Sequence, residues 1–115
     1  MSYALTEEQQ LIQQSAREFT QKYVKPIATE IDNTSMHPTD VVRKMAEHDF
    51  QGINVPEEFD GAEAGFLSYV LIVEEISKVS GAVASVLINH ASLAAYSIQR
   101  FGNANQKQAY LPAMC

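Results

Sequence analysis

The residues best placed to do chemistry are four polar side chains in an otherwise apolar stretch: Ser85, Asn89, Ser92 and Tyr96 follow one another at steps of four, three and four. That spacing lines them along one side of a helix. A buried helix carrying such a stripe needs partners for it, either neighbouring helices and ordered water or a ligand whose pocket the stripe walls. No catalytic constellation is visible elsewhere, because the chain has no glycine-rich phosphate loop, no CxxC pair and no nucleophile elbow. His37, His48 and His90 are not at metal-ligand spacing, so no metal site is expected. Glu57-Glu58 and Glu74-Glu75 are adjacent pairs, and neighbouring helical residues point about 100° apart, so solvated or capping carboxylates are expected there. The single cysteine, Cys115, can form no intrachain disulfide and has no visible catalytic partner.

These side chains must be held by helices. Thr6-Glu7-Glu8-Gln9 fits a capping box that opens the first one, in which Ile12, Ala16, Phe19 and Tyr23 form one stripe. Pro26 predicts a kink or restart, with Ile27 and Ile31 continuing the apolar side to Asp32-Asn33. Pro38-Thr39 opens a second helix with Val42, Met45 and Ala46 on one face and Gly52 as its stop. An irregular stretch from Gln51 to Gly65 follows, punctuated by Pro56, Gly61 and Gly65. From Phe66 to Val79 apolar residues occur nearly all round, which predicts a central element. Gly81 breaks the chain before a long helix to Phe101, and Gly102-Asn103 with Gln106 closes that helix and caps the next. The expected fold is all-α, an up-and-down bundle of about five to six helices in one domain over residues 1–115.

With 14 acidic against 8 basic residues, a formal charge of -6 has the wrong sign for phosphate backbones and anionic membranes, so no nucleic-acid partner is expected. The stretch from Val79 to Ile98 is about as long as a bilayer span, yet Ser80, Ser85, Asn89, His90, Ser92 and Ser97 would be costly in lipid, so no membrane span is expected. The opening Met1-Ser2-Tyr3-Ala4 has neither a basic segment followed by an apolar run nor an Arg-rich pattern, and reads as a genuine start. A cytoplasmic location is the expectation.

Several segments together resemble the acyl-CoA dehydrogenase family. Leu5-Thr6-Glu7-Glu8-Gln9, Ala16-Arg17-Glu18-Phe19, Pro26-Ile27-Ala28 and Glu30-Ile31-Asp32 resemble its opening. Gly52 through Gly61 resembles its G-x-x-x-P-E-E-[YF]-G-G turn, Glu74-Glu75-Ile76-Ser77 its E-E-[IL]-[SA], and Phe101 through Pro112 its F-G-[NST]-x-x-Q-K-x-x-[YFW]-L-P. Their order and spacing cover essentially the whole chain. Asp60 stands where the turn usually has its first Gly, and Phe50-Gln51 replaces the small or aliphatic residues common before Gly52.

The resemblance implies the amino-terminal helical domain of an enzyme whose full-length members bind FAD and an acyl-CoA thioester. Those members remove an α proton with a carboxylate base and pass the β hydrogen as hydride to the flavin. In the family that carboxylate and most flavin contacts belong to a middle β domain and a carboxy-terminal helical domain, so residues 1–115 are expected to be a fragment, inactive alone and without catalytic or cofactor-binding residues. The resemblance further implies that Ser85, Val86, Asn89 and Leu93 form the far end of the acyl pocket, most like that of short-chain, butyryl-type members. It implies also that Ile12, Phe50, Ala62 and Ile72 match the apolar hollow that receives a leucine of electron-transferring flavoprotein in medium-chain relatives, although read from the residues alone they are ordinary core. Homo-oligomerisation is expected. The rival readings are a freestanding helical binding or assembly module without enzymatic activity, and the same domain of an acyl-CoA oxidase.

Overall fold

The computed structural model describes residues 2–115. Its first helix begins where Thr6 accepts a hydrogen bond from the Gln9 backbone while the Gln9 side chain accepts one from the Thr6 N–H, a complete capping box. From there α1 (Glu7–Phe19) runs into a π-helical stretch (Thr20–Val24), a single 3-10 turn (Lys25–Ile27) and α2 (Ala28–Thr34) without leaving the helical region. Pro26 accounts for the interruption: it has no N–H to offer and its ring crowds the carbonyl of Lys22 one turn earlier, so the preceding turn widens.

After α2 the chain turns through Ser35, in the left-handed region, and starts α3 (Thr39–Glu47). This helix ends at Glu47, five residues before the expected Gly52. Asp49 adopts φ 63° and donates to Ala46 O, while Phe50 N–H donates to Met45 O at 2.9 Å, which together form a Schellman cap with the aspartate in the position glycine usually takes. Gly52 has another role: a Cβ there would lie 2.7 Å from the Cys115 sulfur, so its bare backbone lets the chain's last residue pack against it. The following loop is held by its own backbone, with Ala62 N–H donating to Gly52 O, Glu63 N–H to Val55 O and Ala64 N–H to Ile53 O. At Gly61 a side chain would collide with the Val55 carbonyl. Its neighbour Asp60 sits at φ 69°, a left-handed conformation that Asp tolerates and Gly adopts freely, which is why a glycine at this position suits the same turn.

Helix α4 (Phe66–Ser77) buries Tyr69, Leu71, Ile72 and Ile76 against α1 and α5. It is not surrounded as its composition suggests, because Phe66, Leu67 and Val70 remain exposed and no element among the described residues covers them. Ser80 caps the next helix by accepting from Val83 N–H. That helix is continuous over Gly81–Phe101: α5 (Gly81–Ile88), a π-helical stretch (Asn89–Ala95) and α6 (Tyr96–Phe101). Asn103 and Gln106 then form the second complete capping box and start α7 (Ala104–Met114). The Gly81–Phe101 helix is long and apolar enough by composition to cross a bilayer. Its apolar residues Val83, Ala84, Leu87 and Ala91 instead fill the domain's main core, together with Phe19, Met45, Phe50 and Ile72. A smaller core of Val55, Ala95 and Leu111 holds α7 in place. The architecture is all-α, as the pattern of periodic segments predicts.

Candidate functional site

The Gly81–Phe101 helix has two faces. Val83, Ala84, Leu87, Ala91 and Ala95 point inward and are at most 4% exposed. On the opposite side Ser85 and Asn89 are exposed, Val86 is half-buried, Leu93 is 62% exposed and Tyr96 48%. The polar stripe therefore does not run through the interior, as a helix this apolar suggests; it faces outward because the helix lies at the edge of the bundle, packed on one side only. Of its four members Ser92 is the exception. It is half-buried and its hydroxyl donates to the Ile88 carbonyl at 2.9 Å, whereas Leu93 beside it stands on the open face.

One recess extends this face. Beyond the carboxyl end of the helix an open recess of about 430 Å³ is lined by Ser97, Ile98, Phe101, Gly102, Gln106 and Tyr110. Phe101 is 83% exposed. His90, on the flank, bonds through Nε2 to the Met114 carbonyl and so ties the helix to the end of α7. A second cleft, about 400 Å³, lies apart from this face between α2 and α3, with Ile27, Ile31, Val41 and Lys44 among its lining residues.

The four positions matched to the flavoprotein hollow are not equally accessible. Phe50 and Ile72 are sealed in the main core, Phe50 edge-on to Phe19 at 5.1 Å between ring centroids. Ile12 is half-buried against that core and Ala62 is exposed.

The carboxylates correct one expectation. Glu57, Glu58 and Glu74 are exposed, but Glu75 is 4% exposed and accepts hydrogen bonds from Arg17 Nε at 3.3 Å, from an Arg17 terminal nitrogen at 3.0 Å and from Lys78 Nζ at 3.0 Å. Those bonds, Arg17's foremost, hold its carboxyl below the usual carboxylate value despite the cost of burial. Glu75 is therefore an ionised clamp between α1 and α4. Lys78 is visible from sequence as a partner at i+3; Arg17, 58 residues away, is not. Burial pushes the Cys115 thiol up, with Asp60 and Asp49 adding to the effect, the opposite of the shift that activates a nucleophilic cysteine. Among the described residues no group of three His, Cys, Asp or Glu side chains converges as a metal-ligand set.

Residues 6–115 match the family described as acyl-CoA dehydrogenase, N-terminal domain. The chain is 45% identical over 111 residues to the short-chain specific acyl-CoA dehydrogenase of Clostridium acetobutylicum, which covers 96% of this chain and 29% of that protein. Its fold superposes with a TM-score of 0.91 on butyryl-CoA dehydrogenase from Megasphaera elsdenii, at 31% identity, over 99% of this chain and 30% of the other. It superposes with a TM-score of 0.95, at 40% identity, on a chain in the structure described as the electron transferring flavoprotein of Acidaminococcus fermentans, again over 99% of this chain and 30% of the other. The chain thus spans under a third of the length of these relatives.

Proposed function

Since this chain belongs to the acyl-CoA dehydrogenase family, whose amino-terminal domain it forms, we propose that it serves as one wall of an FAD-dependent enzyme that introduces an α,β double bond into acyl-CoA thioesters. The observation that carries this reading is the outward face of the Gly81–Phe101 helix. Ser85, Asn89 and Leu93 stand there side by side, polar and apolar together, on a helix whose other side is packed. A face of that kind fits the end of a pocket for an apolar tail, where the side chains that project set the room available.

The open face of this helix does not fit the flavin. A dinucleotide's diphosphate calls for a cluster of backbone donors or cations. The exposed residues of the Gly81–Phe101 helix include one cation, Arg100, and the chain has no glycine-rich turn. We therefore take FAD and the proton-abstracting carboxylate to be supplied by parts of the parent enzyme outside these residues, as the family resemblance implies, with the chain inert by itself. The proposed electron acceptor is electron-transferring flavoprotein; a partner docking over the first helices would meet Ala62 and the edge of Ile12, with Phe50 and Ile72 as floor beneath. The exposed Phe66, Leu67, Val70 and Phe101 support association with further domains or copies. A cytoplasmic location completes the proposal.

The test is a hybrid enzyme in which residues 6–115 replace the matching segment of the Clostridium acetobutylicum short-chain dehydrogenase. It is expected to bind FAD stoichiometrically and oxidise butyryl-CoA, while residues 1–115 alone stay colourless and inactive. A soluble, folded hybrid with no turnover of any acyl-CoA would refute the reading, and a yellow, active preparation of the isolated chain would refute its inertness.

A further inference from the structure

The cleft between α2 and α3 has an apolar floor and a charged rim, and it lies apart from the open face of the Gly81–Phe101 helix. The floor is fixed: Ile31 and Val41 are 8% and 4% exposed and belong to the main core, against which Tyr23 and Ile27 also pack. Met36, in the turn between the two helices, lines the cleft from outside and is exposed. Methionine is unbranched and polarisable, so a wall made of it adapts to the shape of what enters. A volume of about 400 Å³ gives room for one aromatic ring on a short arm, at the small end of ligand pockets.

The rim carries one sign of charge in excess. Glu30 from α2 and Asp40 from α3 stand there, both exposed. Lys44 is the only lysine or arginine in the lining, and it is already matched: its Nζ donates to Glu47 at 3.1 Å and lies 5.7 Å from the centre of the Tyr23 ring. His37 in the lining has the Thr39 hydroxyl 3.3 Å from its Nδ1. Asp40 has Arg43 at 4.0 Å, but the two side chains are 98% and 75% exposed, and a pair so open to water neutralises little. Glu30 forms no ion pair among the described residues. Two carboxylates without a close cation thus overlook an apolar floor, in a chain whose net charge is -6. An anionic ligand is repelled there, and a second copy of this chain brings the same negative charge with it.

We propose that the α2–α3 cleft is a binding site for a small organic cation, with an aromatic or branched apolar body on the Ile31 and Val41 floor and an ammonium on a short arm at Glu30 and Asp40. The site is separate from the acyl pocket and does not rest on that reading.

The probe is phenethylamine, an ammonium at pH 7 as lysine is, with phenethyl alcohol and phenylpropionate as neutral and anionic counterparts. Each is titrated calorimetrically into the full chain and into the hybrid enzyme, and amide chemical shifts of the chain locate the site. The amine is expected to saturate one site, with shifts centred on Ile31, Val41 and Lys44. It should bind about threefold more tightly than the alcohol and at least about tenfold more tightly than the acid, a gap that narrows as salt is raised. Glu30→Gln and Asp40→Asn should each weaken the amine about two- to fivefold, while unchanged binding of the alcohol shows that the variants are folded. Thr34→Trp, at an exposed position in the lining, should exclude amine and alcohol alike. Absence of saturable amine binding, or an acid that binds as tightly as the amine, overturns the proposal. Equal losses for amine and alcohol in the two carboxylate variants overturn it as well. So does saturation of the chain but not of the hybrid, since another part of the parent then fills the cleft. None of these results touches the acyl-pocket reading, which stands or falls on turnover by the hybrid.

Discussion

The two long helices are interrupted in the same way for different reasons. In the first, the π-helical stretch Thr20–Val24 leads directly into Pro26, and both Thr20 and Val24 are buried, at most 1% exposed. In the second, the stretch Asn89–Ala95 contains no proline and its outer side is open. Both carry a hydroxyl bonded back to a carbonyl four residues earlier, Thr20 to Ala16 at 2.7 Å and Ser92 to Ile88 at 2.9 Å. Pro26 gives the first widened turn a covalent cause, and its inner side, Thr20 and Val24, packs into the core while Gln21 and Lys22 face outward. The second has no proline to cause it, and its outer side leaves Asn89 and Leu93 exposed.

If that contrast is right, mutations around the first turn should cost stability and mutations around the second should change selectivity. The largest effect is expected from Phe19→Ala, at the entrance to the first turn. Phe19 is 2% exposed and contacts Tyr23, His48 and Phe50. Its removal should destabilise by about 3–5 kcal/mol in urea unfolding, and a loss below about 1 kcal/mol would contradict the enclosed picture.

Glu75→Gln should cost less, about 1–2 kcal/mol at pH 7, the low end for bonds to charged groups because Arg17 and Lys78 are half in water. The sign of its pH dependence follows from the lowered carboxyl. The clamp's contribution is complete above the unfolded-state value of about 4.3 and disappears as pH falls through the folded-state value below it. The difference between wild type and Glu75→Gln should therefore shrink on acidification from pH 5 downward. A constant difference would place the effect in packing instead.

Thr20→Val, which removes only the buried hydroxyl, is expected to cost about 1 kcal/mol. The smallest effect belongs to the open side. Leu93→Ala should change stability by under about 0.5 kcal/mol, yet in the hybrid enzyme it should relax the preference for short acyl chains. A large loss of stability there would abolish the distinction between the two turns.

Much of this molecule is legible in the residue order because its signals are local. The capping boxes at Thr6 and Asn103 need only a side chain and a backbone N–H three residues away, and Pro26 interrupts its helix through its own ring. The end of α3 was harder to read, since Asp49 rather than the nearby Gly52 takes the left-handed position, and an aspartate does not announce that conformation. The turn at Asp60 and Gly61 lies between these cases: the glycine is visible, while the Val55 carbonyl that requires it is known only once the loop has closed.

By itself the sequence determined the all-α class, the helix starts and the family, because capping, periodicity and motif order are properties of short stretches of chain. Tertiary structure alone decided that Glu75 meets Arg17, that Phe50 and Ile72 are sealed inside, and that the polar side of the Gly81–Phe101 helix looks outward. It decided also that Leu93 and not Ser92 occupies that face. The physical reason is that burial depends on what packs from far along the chain, and a periodicity argument assumes a constant angle per residue, which a widened turn does not keep.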